Sequence, residues 1–172
     1  MNQSDPGNPS RNDWRRLICR YYDACSAGDA AGIAATTSED VVHYFLAPNT
    51  GSQAVRGGEH LGRYWRKVQR GIDARWIVDH LLIDGNEAVI EWTMFWTRPE
   101  TSERVATRGS EWFVIRDGAI AEIRSYYQLR DGTSELDGFD YKARGYSHVG
   151  AERAAAHPVS FRGPQARWVE TT

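Results

Sequence analysis

The sequence predicts an α+β fold in which helices come first and a meander of antiparallel strands follows. Three observations predict it. Helical spacing of apolar residues is confined to positions 13–71, strand-like runs fill 75–129, and Asp-Gly pairs punctuate those runs at Asp84-Gly85 and Asp117-Gly118. Asp-Gly between apolar runs is a strong hairpin signal, because the tightest hairpin turns need residues that tolerate positive φ. Helices and strands segregated in this way pack as layers over one core.

Each element follows from local chemistry. Residues 1–12 are rich in Asn, Pro, Gly, Ser and Asp, which predicts a disordered lead. From 13 to 27 the residues Trp14, Leu17, Ile18, Tyr21, Tyr22 and Cys25 recur at spacings of three and four, an amphipathic helix that Asn12 or Asp13 could cap. Ala27-Gly28 breaks it, and Asp29 can cap a short Ala-rich helix reaching about Thr37. Residues 41–46 read as a strand and 47–58 as a loop containing Pro and Gly. A third helix spans 59–71, with Leu61, Tyr64, Trp65 and Val68 on one face. Strands are then expected at 75–83, 87–97, 105–115 and 119–129. No internal repeat is visible. Residues 130–172 lack periodicity, yet Phe139, Tyr141, Tyr146, Phe161 and Trp168 are suited to docking. The expected organisation is a domain at 13–129 and a C-terminal extension that packs on it or on a partner subunit.

Composition excludes several function classes. The chain has 172 residues and a net charge of −2, with a pI near 6.2. There is no basic stripe for nucleic acid and no polybasic segment or long apolar run for a membrane. Cys19 and Cys25 are six apart on one helix and point in different directions, which suits reduced thiols. With a polar beginning that lacks a signal-peptide core, this predicts a soluble cytoplasmic protein. Glu59-His60 with His43 or His80 fits no zinc spacing, and no nucleotide-binding glycine motif or nucleophile elbow occurs, so neither metal nor cofactor is expected. Arg56-Gly57-Gly58 before a helix could hold an anion, although a turn is the simpler reading.

Seven Trp, eight Tyr and five Phe are unusual. They predict either a bulky core or an aromatic-lined cavity for a flat apolar ligand. Glu111 heads the strand Glu-Trp-Phe-Val-Ile, and a carboxylate there is costly to bury. It either meets Arg108 or Arg124 at the sheet surface or serves a pocket. If it faces inward, strand alternation brings Phe113, Ile123, Ser125, Tyr127, Trp92, Met94 and Trp96 to the same side, with His43 and Phe45 from the first strand. Trp76, Val78 and His80 share one face of the second long strand, and Asp79 should point to the opposite face from His80. His43 and His80 are the candidate bases, since neutral imidazole accepts protons near neutral pH.

The element order, together with Arg20-Tyr21, Ala27-Gly28-Asp29, Gly32-Ile33 and residues Phe113 to Gly118, resembles the nuclear transport factor 2-like superfamily over roughly 13–129. That superfamily wraps a curved antiparallel sheet around helices and leaves a pocket at the wide end of a cone. It includes ketosteroid isomerase, scytalone dehydratase, limonene epoxide hydrolase and the SnoaL-like polyketide cyclases. The resemblance puts Tyr21 at the oxyanion-hole tyrosine of ketosteroid isomerase and Glu111 at its protonated acid. Phe45 stands where that family has its aspartate base, which argues against a steroid isomerase. The acid/base aspartate of the cyclases falls near Ser125, and the dehydratase Asp and His fall near Ser26 and Trp76, so no known catalytic set is complete. The resemblance also implies a homodimer.

The expectation is a cofactor-independent isomerase, cyclase or dehydratase for a hydrophobic, polyketide- or terpenoid-like metabolite. Tyr21 and Glu111 stabilise a developing oxyanion, and His43 or His80 moves the proton. Phe45, Tyr64, Trp65, Trp76, Trp92, Met94, Trp96, Phe113, Ser125 and Tyr127 form the substrate walls. The alternatives are a non-catalytic small-ligand binder and a structural dimer module.

Overall fold

A computed structural model describes residues 11–47, 53–127 and 134–152. The chain runs α1 (Arg11–Ala27), α2 (Ala30–Thr36), β1 (Thr37–Phe45), β2 (Val55–Arg56), α3 (Gly58–Ile72), β3 (Arg75–Asp84), β4 (Glu87–Thr97), β5 (Arg104–Arg116) and β6 (Ala119–Tyr126). Most of the expected lead, the end of the last strand beyond Tyr127, and Phe161 and Trp168 lie outside the described residues. The short strand β2 was not foreseen in the loop, and β1 starts four residues earlier than its apolar run suggests. Among the described residues no helix is long and apolar enough to cross a membrane.

Helix α1 forms because Trp14, Ile18, Tyr21, Tyr22 and Cys25 make one buried stripe. Gly28, at φ +65, ends it. Asp29 caps α2 by accepting a hydrogen bond from the Gly32 amide at 3.0 Å. Asp117 and Gly118 both take positive φ, 51° and 82°, in the turn that pairs Arg116 with Ala119.

The sheet has six strands in the order β2-β1-β6-β5-β4-β3 and does not close. Strands β3 to β6 form the expected antiparallel meander. Strand β1 joins β6 in parallel, so the sheet as a whole is mixed. The three helices cover its concave face over a core that includes Ile18, Ile33, Leu61, Val78, Ile90, Phe113 and Ile123. Residues 134–152 pack on the other face. There Tyr146 donates to Glu91 at 2.5 Å, the Ser147 amide donates to Asp79 at 3.1 Å, and Arg104 makes two 3.1 Å bonds to Glu152.

Strand β3 departs from simple alternation. Its register shifts between Val78 and His80, so that Val78 pairs with Trp92 and His80 pairs with Glu91. The bulge turns His80 onto the outer face, together with Asp79.

Candidate active site

Glu111 is 3% exposed and sits opposite Ser125 in the β5–β6 register. One carboxyl oxygen, Oε1, accepts from the Ser125 hydroxyl, and the other, Oε2, accepts from the hydroxyl of Tyr22 on α1. On β1, His43 places Nε2 2.6 Å from Ser125 Oγ and 3.6 Å from Glu111 Oε1. Four elements therefore converge on one buried polar group, and alternation puts all three strand residues on the concave face.

The surroundings set the charge states. Burial raises the Glu111 carboxyl to about 8, against the pull of the Ser125 hydrogen bond. Burial drives His43 down to about 3. At neutral pH both groups are thus uncharged, which is how two ionisable side chains can share an apolar interior. His43 stacks on Phe45, with ring centroids 4.2 Å apart and planes 8° from parallel. Its Nδ1 has no hydrogen-bond partner among the described residues.

One wall of this group opens on a cavity of about 400 Å³, lined by Glu111, Tyr64, Trp65, Lys67, Val68, Gly71, Ile72, Trp76, Trp92, Met94 and Tyr127. Among the described lining residues Glu111 is the one carboxyl in a largely apolar and aromatic wall, and the exposed Lys67 and Gly71 mark the mouth. Gly109 shapes the wall beside Glu111. A Cβ there would run into the Trp92 indole and come within 2.8 Å of Tyr127 Cβ, so only glycine lets both rings lie against the β5 backbone. Trp92, Gly109 and Tyr127 also border a second cavity, of about 380 Å³, between the sheet and residues 134–152.

The expected site residues fall into three groups. Tyr64, Trp65, Trp76, Trp92, Met94, Tyr127 and Glu111 line the cavity. His43 and Ser125 lie behind Glu111, and Phe45 packs on His43. Phe113 lies deeper, edge-on to Tyr21 and Tyr22, while Trp96 donates to Thr107 at 2.9 Å. Phe45, Trp96, Phe113 and Ser125 are therefore not among the lining residues.

Two catalytic expectations need correction. The phenol on Glu111 belongs to Tyr22, not Tyr21; the Tyr21 hydroxyl accepts instead from Trp65 Nε1 at 2.8 Å. His80 lies 3.1 Å from Glu91 and packs against Tyr146 on the outer face, because the β3 bulge reverses its side. Asp79 is likewise on that face, where it accepts from Thr93 at 2.5 Å. Arg108 and Arg124 are not partners of Glu111, since Arg108 binds Thr93 and Glu135 and Arg124 lies over Trp112. Sequence reasoning missed Tyr22 as the carboxyl partner, although its place on the apolar stripe was a signal. It also missed Lys67, Val68, Gly71 and Ile72 on α3 as lining residues.

A curved, open sheet around helices is the architecture of the nuclear transport factor 2-like class. The sequence profile of the SnoaL-like domain matches residues 18–123, more than half of the chain, and the protein belongs to that family. A protein of unknown function with a cystatin-like fold from Methylobium petroleophilum PM1 is 32% identical, with a TM-score of 0.63 over 85% of this chain and 98% of its own. A protein assigned as a SnoaL-like polyketide cyclase from Jannaschia sp. CCS1 shares the fold at 16% identity and a TM-score of 0.60, over 75% and 92% of the two chains. An LEH-like epoxide hydrolase of M. tuberculosis does so at 22% identity and a TM-score of 0.57, over 70% and 86%. No curated protein matches the chain.

Proposed function

We propose that the protein is a cofactor-independent, acid-led enzyme acting on a hydrophobic small molecule, with Glu111 as its general acid. The observation that carries this reading is the buried Glu111 carboxyl on an apolar cavity wall, with both oxygens engaged by hydroxyls. A carboxyl titrating near 8 holds its proton at neutral pH and is poised to release it to a carbonyl, hydroxyl or epoxide oxygen. The carboxylate left behind is stabilised by the Tyr22 and Ser125 hydroxyls, which donate to it more strongly once it is charged. Neutral His43 orients the Ser125 hydroxyl from behind.

The reactions that fit are isomerisation, cyclisation and dehydration of a polyketide- or terpenoid-like metabolite. Acid-assisted epoxide opening is a neighbouring possibility, in keeping with the epoxide hydrolase that shares the fold. Two free cysteines agree with a cytoplasmic setting. Exposed Tyr44, Trp112 and Tyr126 on the outer sheet face support assembly as a homodimer, which sedimentation equilibrium tests.

The central test is turnover of apolar ketones, secondary alcohols and epoxides. Glu111→Gln keeps the shape but not the acid and is expected to lower kcat by about 10²- to 10⁴-fold with little change in KM. Wild-type turnover in that variant removes Glu111 from the mechanism. Binding of these compounds without turnover in the native protein favours the non-catalytic binder.

A further inference from the structure

Helix α3 has two faces with different jobs. Tyr64, Trp65, Val68 and Ile72 line the cavity, while Arg63, Arg66, Lys67 and Arg70 line a groove on the surface. The basic positions recur at three, four and seven, so they form one stripe along the helix. The groove adjoins the cavity, since Lys67 and Gly71 border both.

The stripe lacks local neutralisation. Arg63 lies 3.6 Å from Glu59 in an exposed pair of small energetic value. Asp73, at the end of the helix, is held by Arg104 at 3.2 Å. Among the described residues no carboxylate is in ion-pair range of Arg66, Lys67 or Arg70. Four cations beside the mouth of an apolar cavity, in a chain whose net charge is −2, are an asymmetry that the fold does not require.

We infer that the ligand of this cavity is amphiphilic, with an apolar body against Glu111 and an anionic tail, a carboxylate or a phosphate, laid over the Arg63–Arg66–Lys67–Arg70 groove. The inference rests on the cavity being the substrate site and narrows its substrate class. The reacting oxygen lies at the buried end and the charge at the solvent end. The stripe adds attraction without charge entering the interior, where an anion would meet the Glu111 carboxyl. It also sets the direction of entry, since only one end of such a molecule tolerates desolvation.

Fluorescence titration of the full chain with dansyl-aminohexanoic acid, its methyl ester and the corresponding alkyl phosphate tests this. At low salt the acid is expected to bind about tenfold more tightly than the ester, and added salt should erode that preference. In an Arg63→Gln, Arg66→Gln, Arg70→Gln variant the preference should fall below about threefold, with ester affinity unchanged. These positions lie on the helix surface, and an unaltered melting curve confirms that the variant folds. A phosphate bound more tightly than the acid identifies the tail as a phosphate ester, and the reverse order identifies a carboxylate. Equal affinity for acid and ester in the native protein overturns the inference and leaves the cavity reading standing. A preference that survives in the triple variant overturns it as well. If no probe binds, the cavity reading fails and takes this inference with it.

Discussion

Glu111 and His43 are held neutral by the same burial, yet they impose opposite pH dependences on stability. The folded pKa of Glu111, about 8, lies above its ordinary 4.5. Its contribution is complete below 4.5 and is lost as pH rises through 8. The folded pKa of His43, about 3, lies below its ordinary 6.5. Its contribution is complete above 6.5 and is lost as pH falls towards 3. Melting temperature should therefore decline on both sides of a mildly acidic optimum. Glu111→Gln should remove the alkaline decline between pH 6.5 and 8 while leaving the acid side in place, as scanning calorimetry across buffers would show. Under the proposed acid catalysis, deprotonation of Glu111 should switch off kcat with an apparent pKa near 8. Gly109 offers a second test at this scale. Gly109→Ala should push the Trp92 ring into the cavity, cost about 1 to 3 kcal/mol in urea unfolding, and weaken binding of the dansyl ester. Glu111 stood out in the sequence because a carboxylate among aromatic strand residues is anomalous on composition alone. Its partner was harder to read. Tyr21 and Tyr22 both lie on the buried stripe of α1, and only the helix's rotation against β5 decides which hydroxyl reaches the carboxyl.

At the scale of elements, alternation predicted the faces of β1, β4, β5 and β6 and failed on β3. Glu111, Ser125, His43, Trp92 and Met94 all turn inward as period two requires. Val78 and His80 should have shared a side, but one extra residue between the paired positions breaks the count. Nothing local in Ile77-Val78-Asp79-His80 marks that residue. It is fixed by tertiary partners, Thr93 and Ser147, which give Asp79 its hydrogen bonds on the outer face. The existence of the three helices and of every strand except the two-residue β2 was legible, because it depends on periodicity within one segment. The outer packing of residues 134–152 was not, since these residues have no period and dock through separate polar contacts. Arg108 is the centre of that docking. It is 8% exposed, donates to Thr93 and Glu135 at 2.7 Å each, and lies 4.0 Å from the Tyr141 ring. Arg108→Ala should lower stability by about 2 to 3 kcal/mol, since it leaves Thr93 and Asp79 with a depleted network. Limited proteolysis should then cut first within 134–152.

Across the whole molecule the two faces of the sheet do different work. The concave face holds the apolar cavity and the neutral acid, and the outer face carries charged groups under residues 134–152. The family assignment gives the architecture, and the likeness to the cyclase and the epoxide hydrolase, at 16% and 22% identity, is one of fold. The proposed chemistry rests on Glu111, Tyr22, Ser125 and His43. The parallel contact between β1 and β6 has a consequence for how that set comes into being. His43 and Ser125 are 82 positions apart, and Tyr22 and Glu111 are 89 apart. These two bonds join an early part of the chain to a late one, while the Ser125–Glu111 bond closes locally across the β5–β6 hairpin. During synthesis, a chain that has not yet released β6 from the ribosome has no means of assembling the acid. The cost of closing such long loops places this assembly late in folding. Completion of the buried carboxyl group is then a report that β1 and α1 have met β5 and β6, and a fragment ending before β6 cannot complete it.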